Sequence, residues 1–260
     1  MRPFLYASVL LYILGIATAA VYNLRGSKTH EALSRHAISA GLLAHTLALA
    51  VRVYSTGHAP MASMYETLVF YSWTVVALSV IVMYRYAERA TEMVTMPVAL
   101  LALVFSFAYE KPGAPLTLIL RTHWFETHVS FSFVAYAFFT LAFSAAVLYL
   151  IKGRGAYEQD GLKKFQDIAA RSVLWGFCFF SASMFAGAVW GYLAWGNYWL
   201  WEPKIIWSFI VWFYYAGAMH AFYVREWRGK GLSVATVIGF FVVLFTYLGV
   251  SLLMKSSHSF

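Results

Sequence analysis

Eight histidines and ten tryptophans carry most of the chemistry open to this 260-residue chain, and both are unevenly placed. Six of the tryptophans (Trp190, Trp195, Trp199, Trp201, Trp207 and Trp212) fall within 23 residues. Indole rings supply rigid apolar area at little entropic cost and stack in offset or edge-on geometry. An interfacial aromatic belt is spread over helix ends at both membrane surfaces, whereas here a single segment holds most of the tryptophan. That concentration suits a wide, flat, apolar ligand better than a belt. Gly191 and Gly196 let the backbone approach closely, and Glu202-Pro203-Lys204 adds a charge pair and a proline suited to the first turn of a following helix.

The histidines sort by position. His128 and His258 stand at the margins of apolar runs, at the depth of the tryptophan segment once the topology below is drawn. Two imidazoles at one depth, beside an aromatic shelf, can clasp one metal axially, and a haem iron with two imidazole ligands fits a wide flat site best. His45 and His220 lie inside apolar runs, where an ionisable side chain is costly and a functional candidate by default. They are read as buried: they could hold one haem between them, serve separate partners, or sit neutral and hydrogen-bonded to a neighbouring helix. His30, His36, His58 and His123 read as solvated or interfacial. No two histidines have the four-turn spacing on one helix that a quinol-oxidising cytochrome b shows. The single cysteine, Cys178, lies in an apolar run and excludes an internal disulfide or a CxxC motif.

The elements that must position these residues are membrane spans. The chain is 62% hydrophobic and 12% charged, about half the charged fraction of an average soluble domain. A spanning helix needs about 20 mostly apolar residues, and eight such runs are present, near 4–22, 36–54, 66–86, 94–109, 128–151, 172–194, 206–224 and 232–254. The expected fold is therefore all-α: a polytopic membrane protein of about eight transmembrane helices, forming a single domain over 1–260. One set of loops holds 13 basic residues and the other side, with both termini, holds 6. The positive-inside rule then puts the termini and the tryptophan loop, at about 190–207, outside. The net charge of +8 is thus an orientation signal and not a nucleic-acid footprint. The first run reads as a span and not as a cleaved leader. The polar stretch Lys152–Arg171 is expected to be an exposed helix or loop on the cytoplasmic side.

The segment Trp195-Gly-Asn-Tyr-Trp199-Leu-Trp201-Glu202-Pro203-Lys204 resembles the tryptophan-rich WWD signature of haem-handling membrane proteins, and most closely the CcsA (ResC) family of system II cytochrome c biogenesis. The stretch from Gly57 to Thr67 resembles that family's second external segment, and Lys255-Ser-Ser-His258-Ser-Phe its terminal His-Ser-aromatic. The resemblance implies haem b as substrate and ligand. It implies that His128 and His258 hold the iron of an outer-face haem, and that His220 binds an intramembrane haem iron. Trp190, Trp195, Trp199, Trp201, Glu202 and Trp207 would cradle the porphyrin, with His45 as a secondary candidate.

The implied partners are a CcsB (ResB)-like membrane protein, an apocytochrome c bearing Cys-x-x-Cys-His, and the lipid bilayer. The implied place is a bacterial or archaeal cytoplasmic membrane, or a thylakoid membrane. The implied activity is haem transport to the outer face and presentation for attachment to apocytochrome c, this chain forming the CcsA half of a haem lyase. Two residues depart from the family pattern: Glu202 stands in place of Asp, and Ile205 in place of an acidic residue. A HemX-like haem-binding protein or haem exporter without synthase activity is the alternative. An electron-transfer subunit with a permanently held haem is a third reading, poorly suited to an external site built on a loop.

Overall fold

The computed structural model describes all residues except 87–88, 114, 156–158, 225–226 and 255–260. The described residues form helices joined by short links, with no strand. These are α1 (Arg2–Arg25), α2 (Lys28–Thr56), α3 (Met64–Tyr86), α4 (Glu92–Ser106), α5 (His123–Lys152), α6 (Gln159–Trp195), α7 (Pro203–Tyr223), α8 (Lys230–Leu244) and α9 (Val250–Leu253). A single π turn, Phe245–Gly249, joins α8 to α9, so the two make one span. Among the described residues, eight helices are long and apolar enough to cross a bilayer. The expected all-α, eight-span fold is the one observed.

The helices run past the apolar runs that announce them. α2 starts eight residues before 36 and α5 five residues before 128, because polar residues at a helix end keep the backbone hydrogen-bonded while reaching water. The polar stretch before Arg171 is helix from Gln159 onward, continuous with the sixth span, so α6 reaches 37 residues.

The chain divides into two compact units, Met1–Thr117 and Leu118–Phe260. In the first unit, α1 packs on α2 and α4, and α3 packs on α2 and α4. Buried ion pairs fasten both ends of this unit. At one end Arg52 Nε donates to Glu66 Oε1 at 2.8 Å, and Glu66 Oε2 accepts from the Ala62 amide. At the other, Arg89 donates to both carboxylate oxygens of Glu92 and to the Glu31 carbonyl. Charges removed from water need such complete pairing to be tolerated.

In the second unit α5 is central, flanked by α6 and α8, with α7 against α6 and α8. Aromatic rings fill the layers: Phe139 stacks on Tyr215 at 3.6 Å between ring centres, and Tyr247, from the π turn, meets Phe133 and Tyr136. The extra residue of a π turn shifts the helix face that follows it. Here Phe245 reaches Trp207, at 4.5 Å, while Tyr247 enters the core.

Candidate functional site

The site is built at one end of the second unit, where α5 begins, α6 ends and α7 starts. Thr122 caps α5, its hydroxyl accepting from the Phe125 amide at 3.1 Å. This interaction typically contributes about 1 kcal/mol and fixes the helix start at His123, so His128 sits more than a turn inside α5 and not at its first residue.

His128 faces α6. Its Nδ1 lies 2.9 Å from the carbonyl of Ser183. A carbonyl only accepts, so Nδ1 carries the proton and Nε2 the lone pair. The Ser183 hydroxyl bridges the Ser132 hydroxyl (2.6 Å) and the His128 carbonyl (2.9 Å), closing the join between α5 and α6. One turn along α6, a Cβ at Gly187 would stand 2.6 Å from Nδ1, so only glycine leaves room for the ring. One turn further, Trp190 lies nearly parallel to the imidazole, 6.2 Å between centres and 17° between planes. Ser183, Gly187 and Trp190 occur at helical spacing and form one face of α6. The sequence reading did not single out Ser183 or Gly187. Their i, i+4, i+7 register with Trp190 is the signal that marks them.

The tryptophans fall into two groups. Trp190 is buried, its Nε1 donating to the Ile119 carbonyl at 2.9 Å, and it meets Phe125 and, edge-on, Trp195 at 4.9 Å. Trp199 and Trp201 are exposed and share Phe209 of α7 as a backing ring, at 4.9 and 6.0 Å. Trp201 is 77% exposed. The segment expected as a loop over about 190–207 is mostly helix. Trp190 and Trp195 close α6, Trp207 lies on α7, and only residues 196–202 link the two helices. The link turns at Gly196, whose φ of 73° favours glycine. It then folds back so closely that a Cβ at Gly191 would lie 3.2 Å from the Asn197 carbonyl.

Pro203 is the first residue of α7, the first-turn place the motif led one to expect, and Glu202 is its N-cap. Lys204 Nζ donates to the Ser251 hydroxyl of α9 at 3.0 Å, tying the start of the seventh span to the end of the eighth, and it interacts electrostatically with Glu202 of the link. His258 lies outside the described residues, seven positions beyond Ser251.

The two histidines expected to be buried within spans differ. His45 is fully buried in the first unit, its Nδ1 3.2 Å from the Tyr12 hydroxyl, with Nε2 lacking a hydrogen-bond partner among the described residues. His220 lies within the seventh span, with its side chain exposed on the surface of the second unit. The cause is register: α7 buries the stripe Val211, Tyr215, Ala218 and Phe222, and His220 stands two residues from Ala218, on the outward side. Its Nδ1 lies 2.7 Å from the Ala216 carbonyl, so here too Nε2 holds the lone pair. Of the remaining histidines, His123 is fully exposed beside Glu126, and His58, expected to be solvated, is buried with Nδ1 2.8 Å from the Ala59 carbonyl. Cys178 is a free thiol at the surface of α6. No cluster of three or more His, Cys, Asp or Glu side chains that could hold a bare metal ion occurs among the described residues.

Eight apolar helices, carrying an imidazole–indole layer at one end of the second unit, define a polytopic integral membrane protein. Residues 61–258 match the family described as Cytochrome C assembly protein. The chain is 30% identical over 278 residues to the cytochrome c biogenesis protein CcsA of Synechococcus sp. (strain RCC307), covering 93% of this chain and 89% of the relative. It is 29% identical over 260 residues to CcsA of Chlamydomonas reinhardtii, covering 95% of this chain and 72% of the relative. The fold is similar to a solved structure of the Cytochrome c Heme Lyase CcmF, with a TM-score of 0.77 at 18% identity, over 98% of this chain and 46% of that one. The chain belongs to the cytochrome c assembly protein family and is a cytochrome c biogenesis protein of the CcsA type.

Proposed function

We propose that the protein carries haem b to the outer membrane face and presents it there for covalent attachment to apocytochrome c. The observation that carries this reading is the contact of His128 Nδ1 with the Ser183 carbonyl. Metal-ligating histidines commonly donate the second ring nitrogen to a carbonyl or carboxylate, which orients the ring and raises its basicity. The Ser183 carbonyl does this for His128, and the space left by Gly187 admits the ring in that one pose.

Haem is the substrate. His128 supplies one axial nitrogen through Nε2 and His258 the other. The exposed indoles of Trp199 and Trp201, backed by Phe209, offer the porphyrin a face at low reorganisation cost. An apocytochrome presents its Cys-x-x-Cys-His segment to the held haem. Each thiol adds across a vinyl group: sulfur bonds to one vinyl carbon, its hydrogen goes to the other, and no oxidant or reductant is consumed. The apocytochrome histidine then takes the place of one of the chain's own ligands. The chain contributes positioning of two reactants and needs no nucleophile, in keeping with its single cysteine.

His220 is the proposed ligand of an intramembrane haem. Its exposed side chain favours a site completed by another chain, and a CcsB-like membrane protein is the proposed partner. His45 is enclosed against Tyr12, with no surface on which a porphyrin could lie, and is left out of the proposed ligand set. The tryptophan end is placed on the external side because the opposite end of the same unit carries Lys152, Arg154, Lys163, Lys164 and Arg171.

The test is haem staining of the purified intact chain together with its His220→Ala and His258→Ala variants, coexpressed with a CxxCH-bearing apocytochrome. Partial haem loss in each variant and loss of holocytochrome in the second support a two-site conduit. Full haem retention in both overturns it. Haem binding with no holocytochrome from the intact chain and its partner favours the HemX-like or exporter reading.

A further inference from the structure

At the end of the second unit opposite the tryptophans, a cleft of about 480 Å³ opens where α5 ends, α6 begins and the α7–α8 connection turns. Tyr149, Gln159, Lys163, Gln166, Asp167 and Arg228 line it. That volume lies within the range of small-molecule sites. The Arg228 side chain is held in place: Nε donates to the Phe222 carbonyl at 2.8 Å and Nη1 to Asp167 Oδ1 at 3.1 Å. Gln166, only 9% exposed, has its amide Nε2 buried with no hydrogen-bond partner among the described residues. Buried N–H groups in native proteins nearly always have an acceptor; this one has no surface open to the cleft as it stands, and a turn of the side chain, which lines the cleft, brings it to an acceptor that a ligand supplies.

The balance of groups says what kind of ligand. Donors come from Gln166, Lys163, Arg228 and the Tyr149 hydroxyl, whereas the one carboxylate, Asp167, is engaged by Arg228. An oxyanion satisfies such a set, and a charged acceptor makes the stronger hydrogen bonds. The position says what the oxyanion is attached to. The cleft lies where the apolar length of α5 gives way to Lys152 and the polar start of α6, the level at which the head of a membrane amphiphile sits. Tyr149 is 21 residues from His128 along α5, or about 32 Å at 1.5 Å per residue, so this site is separate from the imidazole–indole layer.

We propose that this cleft binds the oxyanion head of an amphiphile, carboxylate or phosphate, through Gln166, Lys163 and Arg228. A porphyrin propionate and a phospholipid phosphate both carry the required chemistry, and only the porphyrin source rests on the haem reading above.

The experiment is hydrogen–deuterium exchange on the intact chain in nanodiscs of digalactosyldiacylglycerol, a lipid without phosphate, titrated with haem or with haem dimethyl ester, and repeated in phosphatidylglycerol nanodiscs. Binding at the cleft protects peptides spanning 159–167. Protection by haem and not by its ester identifies the propionate source. Protection in phosphatidylglycerol that haem does not increase identifies the lipid source. In either case Gln166→Leu weakens the response about tenfold, as loss of a hydrogen bond to a charged group does. Lys163→Gln, a change at an exposed side chain that leaves the fold intact, also weakens it.

Equal protection by haem and its ester, or no protection in any condition, overturns the proposal. Haem protection confined to 190–207 in both lipids, with 159–167 unaffected throughout, overturns the cleft while leaving the outer haem site standing. Protection of 159–167 by phosphatidylglycerol with no haem response anywhere supports the cleft and removes the haem reading.

Discussion

The imidazole of His128 stands against Gly187, where a single added methyl group would come within 2.6 Å of Nδ1. The contact decides how the ring points, because the same nitrogen must reach the Ser183 carbonyl. Gly187→Ala therefore displaces the ring or opens the α5–α6 join, at a cost of about 1–3 kcal/mol, as for other overpacked sites. Thermal unfolding in detergent should show the loss, and holocytochrome yield should fall far more than stability alone explains. Ser183→Ala is the contrasting change. It keeps the main-chain carbonyl and loses the hydroxyl bridge together with the hydroxyl's 3.1 Å contact to His128 Nδ1, so a cost of about 1 kcal/mol and substantial retained haem are expected.

Trp190 and Trp201 should separate stability from ligand binding. Trp190→Phe leaves the Ile119 carbonyl without its indole donor, for a loss of about 1–3 kcal/mol in unfolding experiments. Trp201→Ala changes a side chain that is 77% exposed. Its stability effect should stay within about 0.5 kcal/mol, while haem affinity measured by absorbance titration falls.

The Arg52–Glu66 pair is buried, so removing one partner strands the other. Glu66→Ala should cost about 3–5 kcal/mol and lower Tm in a thermal scan. The double change Arg52→Met with Glu66→Leu should recover most of that loss, since a packed apolar pair carries no desolvation penalty.

His45 and His220 make opposite predictions. His220→Ala alters an exposed ring and should leave Tm unchanged while reducing co-purified haem. His45→Leu removes a buried imidazole whose Nε2 lacks a partner among the described residues, so it should be close to neutral for both stability and haem content, provided Tyr12→Phe accompanies it. Loss of haem from the His45→Leu, Tyr12→Phe protein would return His45 to the ligand set.

The positions of the spans were legible because backbone polar groups must be satisfied within the bilayer, and that demand writes itself into long apolar runs. The ends were less so: the N-terminal turns of α2 and α6 are polar and that of α5 mixes His123 and Glu126 with Trp124 and Phe125, so hydropathy marks no boundary there. The importance of His128 and of the tryptophan cluster was visible in residue type. What orients His128 was not, because Ser183 and Gly187 are 55 and 59 residues away and act through a main-chain carbonyl and an absent side chain. The outward direction of His220 follows from the buried stripe on α7, which an almost wholly apolar helix does not announce. Gln166 and Arg228 were lost among ordinary polar residues, since only the packing of α5, α6 and the α7–α8 turn brings them together.

The most direct test of the outer site is His128→Gly, assayed by holocytochrome c yield with and without added imidazole. If His128 Nε2 is an iron ligand, the variant makes no holocytochrome and free imidazole, entering the space left by the ring, restores it in part. Undiminished holocytochrome from the variant without imidazole would contradict the assignment.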